Sequence, residues 1–205
     1  MTVCHLEFLV EEPSTEAFLR TLLPRFLPEN RTFEIHPFQG KNDLLARLES
    51  RLRAYAKWLP ANWRIVVLVD RDDDDCKVLK RQMEQTSSVA GLRSRSQAGC
   101  ISWQIVNRIA IEELEAWYFG DWKAVCKAYP RVPRTVLNRA PFRNPDAIRG
   151  GTWEAFERIL NRHNYFTTGL RKVEAARTMG AFIDPARQRS VSFCKFYDAI
   201  MEGGA

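Results

Sequence analysis

Hydrophobic residues in the first 120 positions fall into two alternating patterns, short continuous runs and longer stretches with helical spacing. VCHLEFLV (3–10) is a run of the kind that forms a buried strand. TEAFLRTLLPRFL (15–27) sets Phe18, Leu19, Leu22, Leu23 and Phe26 at helical spacing, with Ser14 or Thr15 positioned to cap the helix. TFEIHPF (32–38) predicts a second strand, and GKNDLLARLESRLRAYAKWL (40–59) a long amphipathic helix. RIVVLV (64–69) predicts a third strand, followed by a helix over CKVLKRQMEQ (76–85). The Ser/Gly-rich TSSVAGLRSRSQAG (86–99) predicts a mobile loop, ISWQIVNRIA (101–110) a fourth strand, and IEELEAWYFGDWKAVCKAY (111–129) a helix. Strands that alternate with helices predict an α/β fold: a central, mostly parallel sheet of about four strands with helices on both faces.

From Pro130 onward the strand pattern stops. RVPRTVLNRAPFRNPDAIRGG is rich in Pro and Arg, and helical patterns follow near 152–163, 170–182 and 190–201. The chain therefore divides into an α/β core over 1–129 and a helical, basic annex over 130–205, packed on the same domain.

Charge sharpens this division. The net charge of +6 is uneven: residues 1–120 hold 16 Lys/Arg against 17 Asp/Glu, whereas residues 121–205 hold 15 against 8. An acidic first part with a basic tail suits a metal-dependent enzyme acting on a polyanion. With 45% hydrophobic and 11% aromatic residues the chain is globular, not disordered. No apolar run approaches the ~18 residues of a membrane span, and the acidic N-terminus is unlike a signal peptide. The five cysteines, Cys4, Cys76, Cys100, Cys126 and Cys194, form no CxxC pair and fit reduced thiols, so a cytoplasmic protein is expected. With cysteines and the three histidines scattered, a bound metal needs carboxylate ligands, which points to a hard ion, Mg²⁺ or Mn²⁺.

The candidate carboxylates lie where such a fold collects functional groups, just past the carboxyl ends of strands. Glu11 and Glu12 follow strand one, with Glu16 on the helix beyond. Asp70 and Asp72 follow strand three, in the phrase RIVVLVDRDDDDC. Glu112 and Glu115 follow strand four and, three apart, share one helix face. Acids from three distant segments brought together repel one another strongly, and a divalent cation relieves that repulsion. Asp73, Asp74 and Asp75 have a plainer reading as the acidic start of a helix. The Asp run is not an EF-hand: counted from Asp70, Asp75 stands where glycine is needed and Arg81 where glutamate is needed. No Walker loop and no GxGxxG is present.

FLVEEPSTEAFL, VLVDRDDDDC and IAIEELEAW, each after a strand, resemble the Toprim domains shared by topoisomerases, primases and overcoming-lysogenization-defect nucleases. More closely, the chain resembles the Toprim-like family called domain of unknown function 4276, a likeness also carried by HPFQGKNDLL and KVEAARTMGAFIDPARQRSVSFCKF. The resemblance implies that Glu11 corresponds to the Toprim glutamate, Asp70 and Asp72 to the Asp-x-Asp, and Glu115, with Glu112 second, to the late acidic ligand. One departure matters. Toprim nucleases read Val-Glu-Gly with another glutamate four residues later, whereas here Glu12 replaces the glycine and Thr15 stands four after Glu11. Glu16 is four after Glu12, so either Glu11 or Glu12 sets the register.

Outside the acids, Lys41 in FQGK is a candidate to reach a phosphate at the same edge and join the catalytic set of Glu11, Asp70 and Asp72. Arg131, Arg134, Arg139, Arg143 and Arg149 are candidates for phosphate contacts, with an acidic protein partner as the competing reading. Together these expectations describe a Mg²⁺-dependent nuclease, and the resemblance implies a role in phage defence with an ATPase partner. A non-catalytic interaction or effector subunit and a DxD-type phosphatase are the alternatives.

Overall fold

A computed structural model of the chain describes residues 2–98 and 102–202. Its centre is built from the three strands that are buried along nearly their whole length. These are β1 (His5–Val10), β3 (Trp63–Asp70) and β4 (Ile105–Ala110). With β2 (Thr32–Pro37) they form one sheet in the order β2-β1-β3-β4, every pair parallel. Val10 lies beside Leu68, and Asp70 beside Ala110, so the carboxyl ends of β1, β3 and β4 meet at one edge.

Alternation along the strands separates two cores. Leu9, Ile65, Val67, Val69 and Ile105 face α2 (Lys41–Ala56) and α3 (Cys76–Val89), which contribute Leu44, Leu48, Leu52, Leu79 and Met83. Phe8, Val10, Val66, Leu68 and Val106 face the other side. That side is covered by α1 (Pro13–Leu22), α5 (Glu115–Gly120), α6 (Trp122–Ala128), α7 (Thr152–Arg162), α8 (Lys172–Phe182) and α9 (Val191–Met201). Phe18, Trp117, Phe156, Phe193 and Phe196 are fully buried there, each stabilising the fold by roughly 1.5–3 kcal/mol. Val132, Val136, Phe156, Met179 and Phe193 belong to the same cluster as the strand residues, so the helices after Pro130 complete the second layer. Helices α1 and α8 approach so closely that a Cβ at Gly180 would collide with the Phe18 carbonyl and the Thr21 hydroxyl.

Three local readings need correction. Helix α1 begins at Pro13 with Glu12 at its N-cap, and neither Ser14 nor Thr15 caps it; the Ser14 hydroxyl instead donates to the Glu12 carboxylate. The stretch 111–129 is not one helix. Glu112 adopts φ 62°, the helix starts at Glu115, and Asp121 interrupts it with φ −123° and ψ 76° while its side chain caps α6. Glu112 and Glu115 therefore do not share a helix face. Finally, α3 runs to Val89 and a short α4 spans Arg95–Ala98, where a loop is expected; helical spacing of Leu79, Met83 and Ser87 buries one side of α3. Residues 99–101, which include the start of the expected fourth strand, lie outside the described residues. Among the described residues, no helix is long and apolar enough to cross a membrane.

Candidate functional site

Each parallel strand releases its chain into a loop at the carboxyl edge, and the loops after β1, β3 and β4 are tied together by hydrogen bonds. The Arg71 amide donates to the Ala110 carbonyl at 2.9 Å and the Asp72 amide to the Glu112 carbonyl at 2.8 Å. Asp72 and Glu112 both adopt left-handed backbone, with φ of 48° and 62°. Such a conformation costs free energy for residues other than glycine and persists only where surrounding contacts impose it. Glu11 joins the first loop to the second, its Oε2 accepting the Asp70 amide at 2.9 Å.

Electrostatics single out two members of this edge. Asp70 is 8% exposed and Glu115 is 3% exposed, and no other described residue gives either carboxylate a hydrogen bond or an ion pair. Burial pushes the Asp70 carboxyl well above the usual range, and Glu11, Glu115, Glu12 and Asp72 push it further. Burial raises Glu115 to about 8 against the opposing pull of Lys172. Glu11 is raised too, first by burial, with the Asp70 amide as the main counterweight. Glu12 is among the charges felt by Glu11, Asp70 and Glu115 alike, so it stands within the cluster.

The other acids have protein partners. Glu112 forms an ion pair with Arg71. Glu16 pairs with Arg20 at 2.8 Å, and Arg20 also reaches Glu34 at 3.0 Å, on the flank of α1. Asp75 caps α3, accepting the amides of Lys77 and Val78 at 2.8 and 2.9 Å. Lys41 does not extend freely from the edge. Its ammonium pairs with Asp72 at 2.6 Å and Asp74 at 2.7 Å, and it donates to the Asp70 and Arg71 carbonyls. Gly40, at φ 98°, makes the turn that delivers it, and the Gly40 amide bonds the Glu11 carbonyl at 2.9 Å.

Two residues at this edge have no forewarning in the sequence. Lys172, the first residue of α8, sits close enough to Glu115, Glu12, Glu113 and Asp70 that their combined charge outweighs burial and raises its pKa. The Tyr118 hydroxyl is fully buried, has no hydrogen-bond partner, and is pushed up first by burial and then by Glu115 and Asp70. Lys172 comes from a helix far along the chain and only packing brings it here, whereas Tyr118 follows Glu115 on the same helix, α5. Glu113 is a structural neighbour: its Oε2 accepts the Thr152 and Trp153 amides, each at 2.9 Å, and so anchors the start of α7.

The donor set fits a hard cation. Two desolvated carboxylates without an ion pair among the described residues, flanked by further acids and an orphaned buried hydroxyl, are the oxygen donors such an ion would need. Among the described residues, no three acidic, histidine or cysteine side chains stand in a finished ligand cage. Loading would require side-chain rotation at this edge, most directly of Asp72 away from Lys41.

The candidate phosphate-binding arginines behave unequally. Arg131 stacks on Tyr165 at 4.1 Å and donates to the Asn164 carbonyl at 2.6 Å. Arg143 makes one long contact to the Asn138 carbonyl at 3.4 Å, and Arg134, Arg139 and Arg149 are exposed without a polar partner among the described residues.

No curated protein matches the chain in sequence. In fold it is similar to the C-terminal region of the Burkholderia pseudomallei OLD protein, with a TM-score of 0.48 and 12% identity over 97% of this chain and 96% of that one. A family model matches residues 10–201, and the chain belongs to that family, described as domain of unknown function (DUF4276).

Proposed function

We propose that the protein is a Mg²⁺- or Mn²⁺-dependent phosphodiester hydrolase acting on nucleic acid. The observation that carries this reading is the pair of buried carboxylates, Asp70 and Glu115, which receive no hydrogen bond or ion pair from any other described residue, at an edge where Glu11, Glu12 and Asp72 also gather. A divalent cation bound there would supply an activated water and charge stabilisation at the scissile phosphate. Glu11, Asp70 and Glu115 would hold it, with Asp72 and Glu12 beside them. Glu11 is oriented for this by the Asp70 amide, and Lys172 tempers the charge of Glu115. Lys41 pins the loop that carries Asp72 and, with Lys172, is a cation available to a phosphate arriving there. Exposed Arg139, Arg143 and Arg149 would follow the phosphate backbone. The Toprim resemblance of the three acidic phrases supports the same chemistry, and extends the proposal to phage defence beside an ATPase.

The test is cleavage of labelled DNA and RNA by purified protein with Mn²⁺, alone and with a neighbouring ATPase if its gene has one. Glu11→Gln and Asp72→Asn should reduce cutting to background while the proteins stay folded. Full activity in both variants would place the chemistry elsewhere. A second reading, a non-catalytic module, is favoured by one specific contact, the Lys41 ammonium that already neutralises Asp72 and Asp74. It predicts no cutting by the wild type on any substrate with either metal.

A further inference from the structure

A broad cleft of about 1060 Å³ opens between α6 and the segment that follows it. Its rim carries Lys123, Lys127, Arg134 and Arg189, and no acidic residue lines it. All four are exposed, and none has an ion-pair partner among the described residues. Lys127 lies over the Phe182 ring at 5.3 Å, which leaves its charge uncompensated. The floor is apolar: Trp122 and Val132 are buried beneath it, and Leu137 and Cys126 are half-buried beside them. None of these residues takes part in the acidic edge.

We propose that this cleft docks an acidic, amphipathic segment of a partner protein, its apolar side chains on the floor and its carboxylates against the rim. Both halves of the cleft argue for that occupant. Four unpaired cations repel one another and attract an anion, so a second copy presenting the same patch is disfavoured. A nucleic-acid strand would answer the charge but not the floor. Its phosphates would leave the half-buried Leu137 and the exposed Pro130 and Pro133 uncovered, and its bases would need an open aromatic face. Trp122 offers none: it is 5% exposed, stacked on Phe119 at 5.3 Å, and tied through its indole N–H to the Pro133 carbonyl at 3.0 Å. Only a chain with carboxylates on one side and aliphatic groups on the other satisfies rim and floor together. Arg139, Arg143 and Arg149 are exposed and lie outside this lining.

The experiment uses the full chain and a fluorescent synthetic helix with glutamates along one face and leucines along the other. Its controls are the same helix with every glutamate replaced by glutamine, and a labelled single-stranded oligonucleotide. The acidic helix should bind the wild type in an anisotropy titration, and the glutamine helix should not. The double variant Lys123→Glu/Arg189→Glu, with unchanged thermal unfolding because both side chains are exposed, should bind it about tenfold more weakly or worse. The oligonucleotide should bind the variant as well as the wild type. No binding of the acidic helix, or equal binding by the variant, overturns the proposal. Selective loss of the oligonucleotide in the variant also overturns it, by assigning the cleft to nucleic acid. None of these outcomes depends on metal or cleavage, so the result stands apart from the nuclease reading.

Discussion

Two sets of buried acids lie at opposite ends of the same sheet, and the structure treats them differently. Near the start of β1, Glu7 is 6% exposed and fully engaged. Its carboxylate meets the ring Nε2 atoms of His5 and His36 at 3.2 and 2.7 Å and accepts the Tyr55 hydroxyl at 2.8 Å. Arg51 lies beyond, over the Tyr55 ring and 3.4 Å from His36 Nδ1. At the carboxyl edge, Asp70 and Glu115 are equally buried, yet among the described residues no other residue gives either carboxylate a hydrogen bond or an ion pair. A buried charge is costly unless hydrogen-bonded or paired. Glu7 meets that condition inside the chain and reads as part of the scaffold. Asp70 and Glu115 meet it only with a proton or an outside cation, and this marks them as a site.

The sharpest way to break this contrast is a pair of isosteric substitutions measured by urea unfolding without metal at pH 8. Glu7→Gln turns one acceptor into a donor facing ring N–H groups and should destabilise the protein by about 1–3 kcal/mol. Asp70→Asn removes the repelled charge and should stabilise it by about 1 kcal/mol or more. Two changes of the same sign would erase the distinction between the ends of the sheet.

Divalent cation should restore what burial costs at the second end. Mn²⁺ at one hundred times its dissociation constant should add about 2.7 kcal/mol to the wild type, read as a rise in Tm. The Asp70→Asn protein should respond far less. Equal responses would remove Asp70 from the ligand set.

A smaller effect follows from pH. Glu115 is raised from 4.5 to about 8, so between those values the folded state holds a proton that the unfolded state has released. Metal-free stability should therefore fall as pH rises from about 4.5 to about 8, with Asp70 acting in the same direction. Below this window both states are protonated and the penalty is absent. Glu115→Gln should flatten the slope; an unchanged slope would mean that Glu115 is already compensated.

The smallest expectation is at Glu16. Its partner is Arg20, away from the cluster, so Glu16→Gln should change stability by no more than about 0.5 kcal/mol and leave the Mn²⁺ response intact. A lost metal response there would shift the register of the first loop from Glu11 to Glu12.

Much of this is written locally in the chain. Aliphatic runs such as RIVVLV can only be buried, helical spacing in LLARLESRL makes one side of α2 apolar, and their alternation leads to a parallel sheet whose strand ends share an edge. The grouping of Glu11, Asp70 and Glu115 follows from that topology. Partners are another matter, because they depend on side-chain reach across the fold. Nothing near Glu112 or Glu16 announces that arginines occupy them, and nothing in FQGK shows that Lys41 folds back onto the Asp loop. The break at Asp121 is equally silent, since its carboxylate turns inward to Arg187, 66 residues away. Sequence alone determined which acids arrive at the edge, because strand burial and topology are local consequences of pattern. Which of them arrive unpartnered, with Lys172 beside them, was decided only by tertiary packing, because hydrogen bonding and desolvation depend on groups the chain brings from far away.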